Sequence, residues 1–253
     1  MIVKLQDPRA AEKLFEGWYE TVIWSCLDRV MGCMYADSEE HPVTAAACLG
    51  DFCFLAGEPS EELLQECAGQ SEREMLILVG REERWNTLIE KCFPEKIRKF
   101  TRYAFRKDPA SFDEENLRAE AAKLPEEFEI RLMDETLYGR CRQEEWSKDL
   151  AGQFRDYTHF NQYAVGIVAV KGDEIVAGAS AYSAYKGGIE VEIDTKEAYR
   201  RRGLATACGA RLILECKKRG LYPSWDAHNL QSKRLAQKLG YQFDYEYTSY
   251  ELF

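Results

Sequence analysis

Gly188-Ile189-Glu190-Val191-Glu192-Ile193-Asp194-Thr195, and the junction Tyr199-Arg200-Arg201-Arg202-Gly203-Leu204-Ala205-Thr206 just after it, decide how this chain folds. Apolar and acidic residues alternate from Ile189 to Asp194, the period of a strand with one buried face. Beyond Gly203, the residues Ala207, Ala210, Leu214 and Lys217 fall at helical spacing, and small side chains crowd the first turns. A strand therefore runs into a helix that can press close against a sheet. The first N–H groups of such a helix lack intrahelical acceptors. With the positive end of the helix dipole they form a site for an anion. Gly203 and Ala205 place almost no side chain between those amides and an approaching phosphate.

Working outward, residues 221–232 read as a strand followed by a helix with Asn229 as its N-cap. Gly240 is the stop, and a second strand pair ends in Tyr245-Glu246-Tyr247-Thr248-Ser249-Tyr250. Upstream, strands at 164–170 and 174–183 are joined by the hairpin turn Lys171-Gly172-Asp173, after a strand from Phe128 and helices within 134–154.

Arg200-x-x-Gly203-x-Ala205 resembles the Arg/Gln-x-x-Gly-x-Gly/Ala pyrophosphate loop of the GNAT superfamily of N-acetyltransferases. Asn229, Ser232 and Leu239-Gly240-Tyr241 stand where that superfamily has a helix opening with Asn and closing with Leu-Gly-aromatic. The two matches in this order are more specific than either alone. The segments 177–183, 189–195, 222–229 and 238–241 resemble more narrowly the zwittermicin-resistance type of GNAT acetyltransferase. So do Trp24-Ser25-Cys26-Leu27, Gly50-Asp51-Phe52-Cys53-Phe54 and Arg102-Tyr103-Ala104, and the likeness covers nearly the whole chain.

The resemblance implies an α/β (mixed α+β) protein. A GNAT acyl-CoA N-acyltransferase fold, with a central mixed, splayed sheet flanked by helices, is expected over 125–253. An α/β supporting domain, itself a degenerate GNAT-like half, is expected over 1–124. It implies acetyl-CoA as cosubstrate, the pantetheine arm along Ile193, Asp194 and Thr195, and the pyrophosphate on Arg200, Arg201, Arg202, Gly203, Leu204, Ala205 and Thr206. Asn229 and Ser232 are further cofactor contacts, although Asn229 equally fits a plain N-cap.

Acetyl transfer from a thioester to an amine requires a placed thioester, a base for the ammonium and a proton for the leaving thiolate. Glu190 and Glu192 share one face of their strand and are candidate bases, with solvent exposure the plain alternative for each. His228 is the other candidate, against a role as an ordinary turn residue. Many GNAT proteins carry a tyrosine as thiolate acid where this chain has Ala236, so Ser232, Tyr241 or a water is left for that role. Asp226 and His228 have no third ligand near them in sequence, and no metal is expected. The reading is an acetyl-CoA-dependent N-acetyltransferase acting on a primary amine, with a non-catalytic CoA-binding sensor or interaction module as the alternative. The amine itself is not legible, since acceptor pockets are built from variable loops.

Composition sets the bounds. The chain has 253 residues, 45% hydrophobic and 31% charged, enough for one large core or two modest ones. A net charge of −10 argues against a general nucleic-acid binder. Nine cysteines without a Cys-x-x-Cys pair suggest reduced thiols and a cytoplasmic setting. Neither a leader nor a membrane partner is expected, and a homodimer is left open. Apolar spacing over 10–34 predicts one amphipathic helix. Strands follow at 44–49, 51–56, 75–79 and 100–105, a helix at 83–92, and a charged connecting helix at 113–123.

Overall fold

Alternating apolar runs and Gly-containing turns give the first part of the chain β1 (Val3–Lys4), α1 (Thr21–Leu27), β2 (Cys33–Ala36), β3 (Thr44–Leu49), β4 (Phe52–Gly57), α2 (Glu61–Gln70), β5 (Leu76–Gly80), α3 (Glu83–Cys92) and β6 (Ile97–Phe105). Then follow α4 (Glu114–Ala122), β7 (Glu129–Leu132), α5 (Glu135–Cys141), α6 (Tyr157–Tyr163), β8 (Ile167–Lys171), β9 (Glu174–Tyr185), β10 (Gly188–Thr195), α7 (Leu204–Lys218), β11 (Tyr222–Ser224), β12 (Asp226–Ala227), α8 (Leu230–Lys238) and β13 (Phe243–Leu252). This computed structural model describes residues 1–70 and 75–253.

The chain divides into two compact units, one of residues 1–102 with 246–253, the other of residues 103–245. This division into compact units falls within β6 and β13, for two local reasons. The charged helix α4 packs on α7 inside the second unit, through Leu117 in the core with Ile213 and the Glu114–Lys217 ion pair at 2.5 Å. The last residues of β13, Tyr250, Glu251 and Leu252, pair antiparallel with Leu78, Ile77 and Leu76 of β5 in the first unit.

In the first unit β1 to β4 pair antiparallel in sequence order, and β4 and β5 are parallel with α2 as the crossover. Its core joins Leu55, Leu63, Leu64, Leu78, Trp85, Ile89 and Tyr250. The single helix expected over 10–34 is instead two short pieces. A 3-10 segment, Pro8–Phe15, ends where Gly17 takes φ 76, a left-handed turn that no helix accommodates, and α1 begins only at Thr21. The apolar residues of that stretch, Phe15, Trp18, Val22 and Cys26, are buried all the same.

The second unit is a five-stranded sheet in the order β11-β10-β9-β8-β7, antiparallel except for the β10–β11 pair. The apolar face of β10, Val191 and Ile193, lies against α7 in a core with Ala210, Ile213, Trp225, Leu239 and Tyr241. Each large apolar side chain buried there contributes roughly 1.5–3 kcal/mol, so the strand face that carries the carboxylates is turned the other way.

Candidate active site

The connection from β10 to α7 turns twice through left-handed backbone, at Arg201 (φ 61) and at Gly203 (φ 82). Gly203 is the N-cap of α7 and supplies no capping side chain. A Cβ built there meets no atom within 4 Å, so the space above the helix end is open. No acidic residue occupies the first turn. The amides of Leu204, Ala205 and Thr206 thus face a cleft with no capping side chain and no acidic residue in their own turn.

One wall of this cleft is a splay in the sheet. β10 and β11 pair only at Gly188–Tyr222, Ile189–Pro223 and Glu190–Ser224. After Trp225 the chain leaves β10, and Asp226 and Ala227 pair instead with Ala104 and Tyr103 of β6. Among the described residues, no strand pairs with the edge of β10 from Val191 to Thr195 on that side. Two of its amides are held by neighbouring carboxylates: Ile193 N–H donates to Glu192 Oε1 (3.1 Å) and Thr195 N–H to Asp194 Oδ1 (2.6 Å).

The result is an open groove of about 450 Å³. Of the residues expected at a cofactor, Ile193, Asp194, Thr195, Arg200, Arg201, Gly203, Leu204, Ala205, Thr206, Asn229 and Ser232 all line it. Arg202 does not. Its guanidinium pairs with Glu127 and lies 4.8 Å over the Phe128 ring. Arg200 Nε donates to Thr195 O (3.1 Å), tying the loop to the strand it leaves. Asp194 is pushed up from the ordinary carboxylate value by burial, against the opposing pull of the Thr195 N–H and Arg200. Asn229 is the N-cap of α8, its Oδ1 accepting from Ser232 N–H at 2.9 Å. Ser232 Oγ accepts from Trp225 Nε1 (3.1 Å), which leaves the hydroxyl hydrogen as the donor that Ser232 can offer. Tyr241 is buried, and its hydroxyl donates to Pro223 O at 2.8 Å. It is committed to the core, as is the fully buried Ala236.

Glu190 and Glu192 are half-buried on the face of β10 away from α7. Pairing with β9 shifts between Glu190–Ser183 and Val191–Ala181, so Tyr182 is an extra residue in β9. This bulge puts Ser183 opposite Glu190 and Ser180 opposite Glu192, although the serines are three apart in sequence. Both serines are fully buried, as is Ser224, which sits beside Glu190 on β11 and hydrogen-bonds the Tyr185 hydroxyl (3.0 Å). The two glutamates thus line up with serines across the strands beside them. None of Glu190, Glu192 and His228 is among the residues that line the groove, and His228 is exposed. Sequence reasoning also passed over Tyr199, Gln231 and Leu235 in the groove wall. Helical period would have found Leu235, one turn beyond Gln231. Nothing in the period of β9 announces a bulge.

The sequence profile of the GNAT acetyltransferase family matches residues 12–250, and the chain belongs to that family. It is 25% identical over 254 residues to YdfB, an uncharacterized N-acetyltransferase of Bacillus subtilis (strain 168), covering 94% of this chain and 92% of the relative. A solved structure described as a GCN5-related N-acetyltransferase-like protein, from Streptococcus suis 89/1591, is 45% identical with a TM-score of 0.92 over 98% of this chain and 99% of that one. The fold, at 10% identity and a TM-score of 0.54, is also that of a tandem GNAT protein from the clavulanic acid biosynthesis pathway, over 99% of this chain and 97% of that one. The protein is an acyltransferase of the GNAT N-acetyltransferase class. Among the described residues no helix is long and apolar enough to cross a membrane.

Proposed function

We propose that this protein transfers the acetyl group of acetyl-CoA directly to a primary amine of a small molecule, both substrates being bound at once. The observation that carries the reading is the convergence, on one groove, of the uncapped α7 N-terminus, the unpaired edge of β10 and the N-terminus of α8. Each matches one part of the cosubstrate. The amides of Leu204, Ala205 and Thr206, with Arg200 and Arg201 beside them, take the pyrophosphate. The pantetheine arm lies along Ile193–Thr195 as a further strand, its amide groups replacing the Glu192 and Asp194 carboxylates on the two strand N–H groups. That places the thioester at the level where β10 and β11 part, beside Glu190.

There Glu190 takes the proton from the acceptor ammonium, with Glu192 further along the same face as the second candidate base. The neutral nitrogen adds to the thioester carbon, the nitrogen of the adduct gives up its second proton to solvent, the carbon–sulfur bond breaks, and the leaving thiolate takes a proton relayed from water through the Ser232 hydroxyl. A hydroxyl that already accepts from Trp225 is oriented to donate. His228, exposed just after β12, is the remaining candidate base.

Calorimetry with acetyl-CoA and a free-thiol assay over a panel of primary amines test this together. Acetyl-CoA is expected to bind, with thiol released only when an amine is present. Double-reciprocal plots for the two substrates should intersect; parallel lines would mean a covalent acetyl-enzyme and sink direct transfer. Binding without release for any amine would leave the sensor reading standing.

A further inference from the structure

Five of the nine cysteines, Cys26, Cys33, Cys48, Cys53 and Cys67, fall within the first 67 residues. The first unit brings three of them to a point. Strand register sets Cys33 opposite Cys48 across β2 and β3, and Cys48 opposite Cys53 across β3 and β4. The crossover helix α2 brings Cys67 to the same place, in a core that also holds Leu55, Leu63 and Leu64 with Tyr35 packed against it. Cys48 Sγ lies 3.0 Å from Cys53 Sγ and 3.9 Å from Cys67 Sγ, and the three sulfurs all lie within 4.8 Å of one another. No carboxylate or imidazole belongs to the group.

We propose that Cys48, Cys53 and Cys67 form a binding site for a monovalent thiophilic cation of the Cu(I) type, held by three sulfurs. The donor set is the first argument. Thiolate ligands without oxygen or nitrogen select soft cations, and an apolar surround excludes the water that a hard cation would keep. Spacing is the second. Three sulfurs each about 2.3 Å from one centre stand about 4.0 Å apart in a trigonal plane; Cys48 and Cys67 already stand 3.9 Å apart, the third separation is within 4.8 Å, and the Cys48–Cys53 pair at 3.0 Å opens by about 1 Å as the ion enters. Origin is the third. The ligands come from three elements, β3, β4 and α2, so the fold and not a flexible loop fixes their separation. Access is the fourth. Cys53 and Cys67 are buried while Cys48 is partly exposed, which makes Cys48 the entry side. Binding changes no oxidation state: each sulfur that ligates as thiolate gives up one proton to solvent and forms one sulfur–metal bond. Zinc prefers a fourth ligand. The nearest thiol in the row is Cys33, which stands outside the trio.

The test is anaerobic native mass spectrometry of the full-length protein, with Cu(I) supplied as its acetonitrile complex and Zn(II) in a parallel sample. One Cu(I) per chain should be retained, with or without acetyl-CoA. Cys48→Ser should weaken retention by at least about 100-fold, a loss that substitution even of a supporting group around a metal can reach. Cys92→Ser, in the same unit but outside the trio, should retain the ion like the parent. Far-UV circular dichroism checks folding, and Cys67→Ala replaces Cys48→Ser should the latter not fold. No retained Cu(I), or equal retention by the trio variants, would overturn the site. Zinc retained in place of copper, and lost in Cys33→Ser, would overturn three-coordination. A loss of two hydrogens with linked Cys48 and Cys53 peptides and no bound ion would show a disulfide in place of a metal site and would overturn it. The site is independent of the acetyl-transfer reading, since its readout is bound metal and not turnover.

Discussion

The chain builds the same order of elements twice, and the two versions differ where a phosphate and a thioester would have to bind. In the first unit three antiparallel strands, β2, β3 and β4, lead through α2 to a parallel β5, then α3 and β6. In the second, β8, β9 and β10 lead through α7 to a parallel β11, then α8 and β13. Yet β4 reaches α2 through the short connection 58–60, Ser60 Oγ accepts from Leu63 N–H (3.2 Å), and Glu61 and Glu62 fill the first turn. That helix end is capped and negatively charged, and it repels an anion. β10 reaches α7 through the longer connection 196–203, whose left-handed Gly203 leaves the amides open. The strands differ in the same sense. On the face turned away from the crossover helix, β10 carries Glu190 and Glu192, whereas β4 carries Phe52 and Phe54, stacked on each other and covered by Trp18 and Arg102. One copy of the plan is closed into core; the other carries half-buried carboxylates on that face, next to the strand end, Ile193 to Thr195, that lines the groove. Topology alone does not make the site. Caps, loop length and the residues on one strand face do.

The sharpest way to break this contrast is to remove the basic group that the first unit lacks. Glu190→Gln keeps shape and hydrogen-bonding capacity, so turnover should fall roughly 10²- to 10⁴-fold while calorimetric affinity for acetyl-CoA stays within about twofold, a difference of about 0.4 kcal/mol. Full turnover across pH 6 to 9 in this variant, in Glu192→Gln and in the double variant would remove the carboxylate base. Next in size is the loop. Gly203→Val meets no protein atom, so its branched side chain would stand in the anion cleft and strain a residue at φ 82. Acetyl-CoA affinity should drop at least tenfold, about 1.4 kcal/mol, and unchanged binding would withdraw the α7 N-terminus from the site.

Much of the second unit was legible because its elements repeat cleanly. The eight residues of β10 alternate without interruption, and α7 and α8 carry their own start and stop residues, so β10 runs from Gly188 to Thr195 as expected and α7 begins within a residue of its expected start. α3 and β3 also stand where apolar spacing put them. What failed to show in the sequence were breaks in period and events of pairing. The spacing over 10–34 was right about burial and wrong about continuity, because one glycine at positive φ splits the helix. The packing of the charged, proline-flanked helix α4 also did not show in the sequence, because it looks like a linker until its apolar residue Leu117 is seen in the core with Ile213 of α7. The bulge that aligns Ser180 and Ser183 with the glutamates depends on which residue of β9 goes unpaired, and no local pattern states that. Arg202 stands at an unspecified position of the loop motif, and its charge is held by Glu127, a residue 75 positions earlier.

A smaller effect sharpens the comparison from the other side. Ser60→Ala removes the cap of α2 and should cost about 1 kcal/mol of stability, read by denaturant unfolding, with acetyl-CoA affinity unchanged. A matching loss of affinity would mean that the α2 end takes part in binding after all. The smallest effect belongs to Asp194, and its sign follows from burial. Its carboxyl is raised above the ordinary value of 3.8, chiefly by desolvation. The folded state therefore holds this proton more tightly than the unfolded chain does. Relative stability from this group is fully present below about pH 4 and is lost as pH rises through the folded value, leaving a fixed penalty at neutral pH. Asp194→Asn keeps an oxygen for Thr195 N–H and removes the charge. The variant should melt slightly higher than the parent at pH 7, by an amount within about 0.5 kcal/mol, and the gain should disappear as the pH falls toward 4. A variant less stable at pH 7, or a gain that grows on acidification, would show that the Arg200 attraction outweighs desolvation. The edge of β10 would then be a place where charge stabilises the strand, and not one held open for a ligand's own amides.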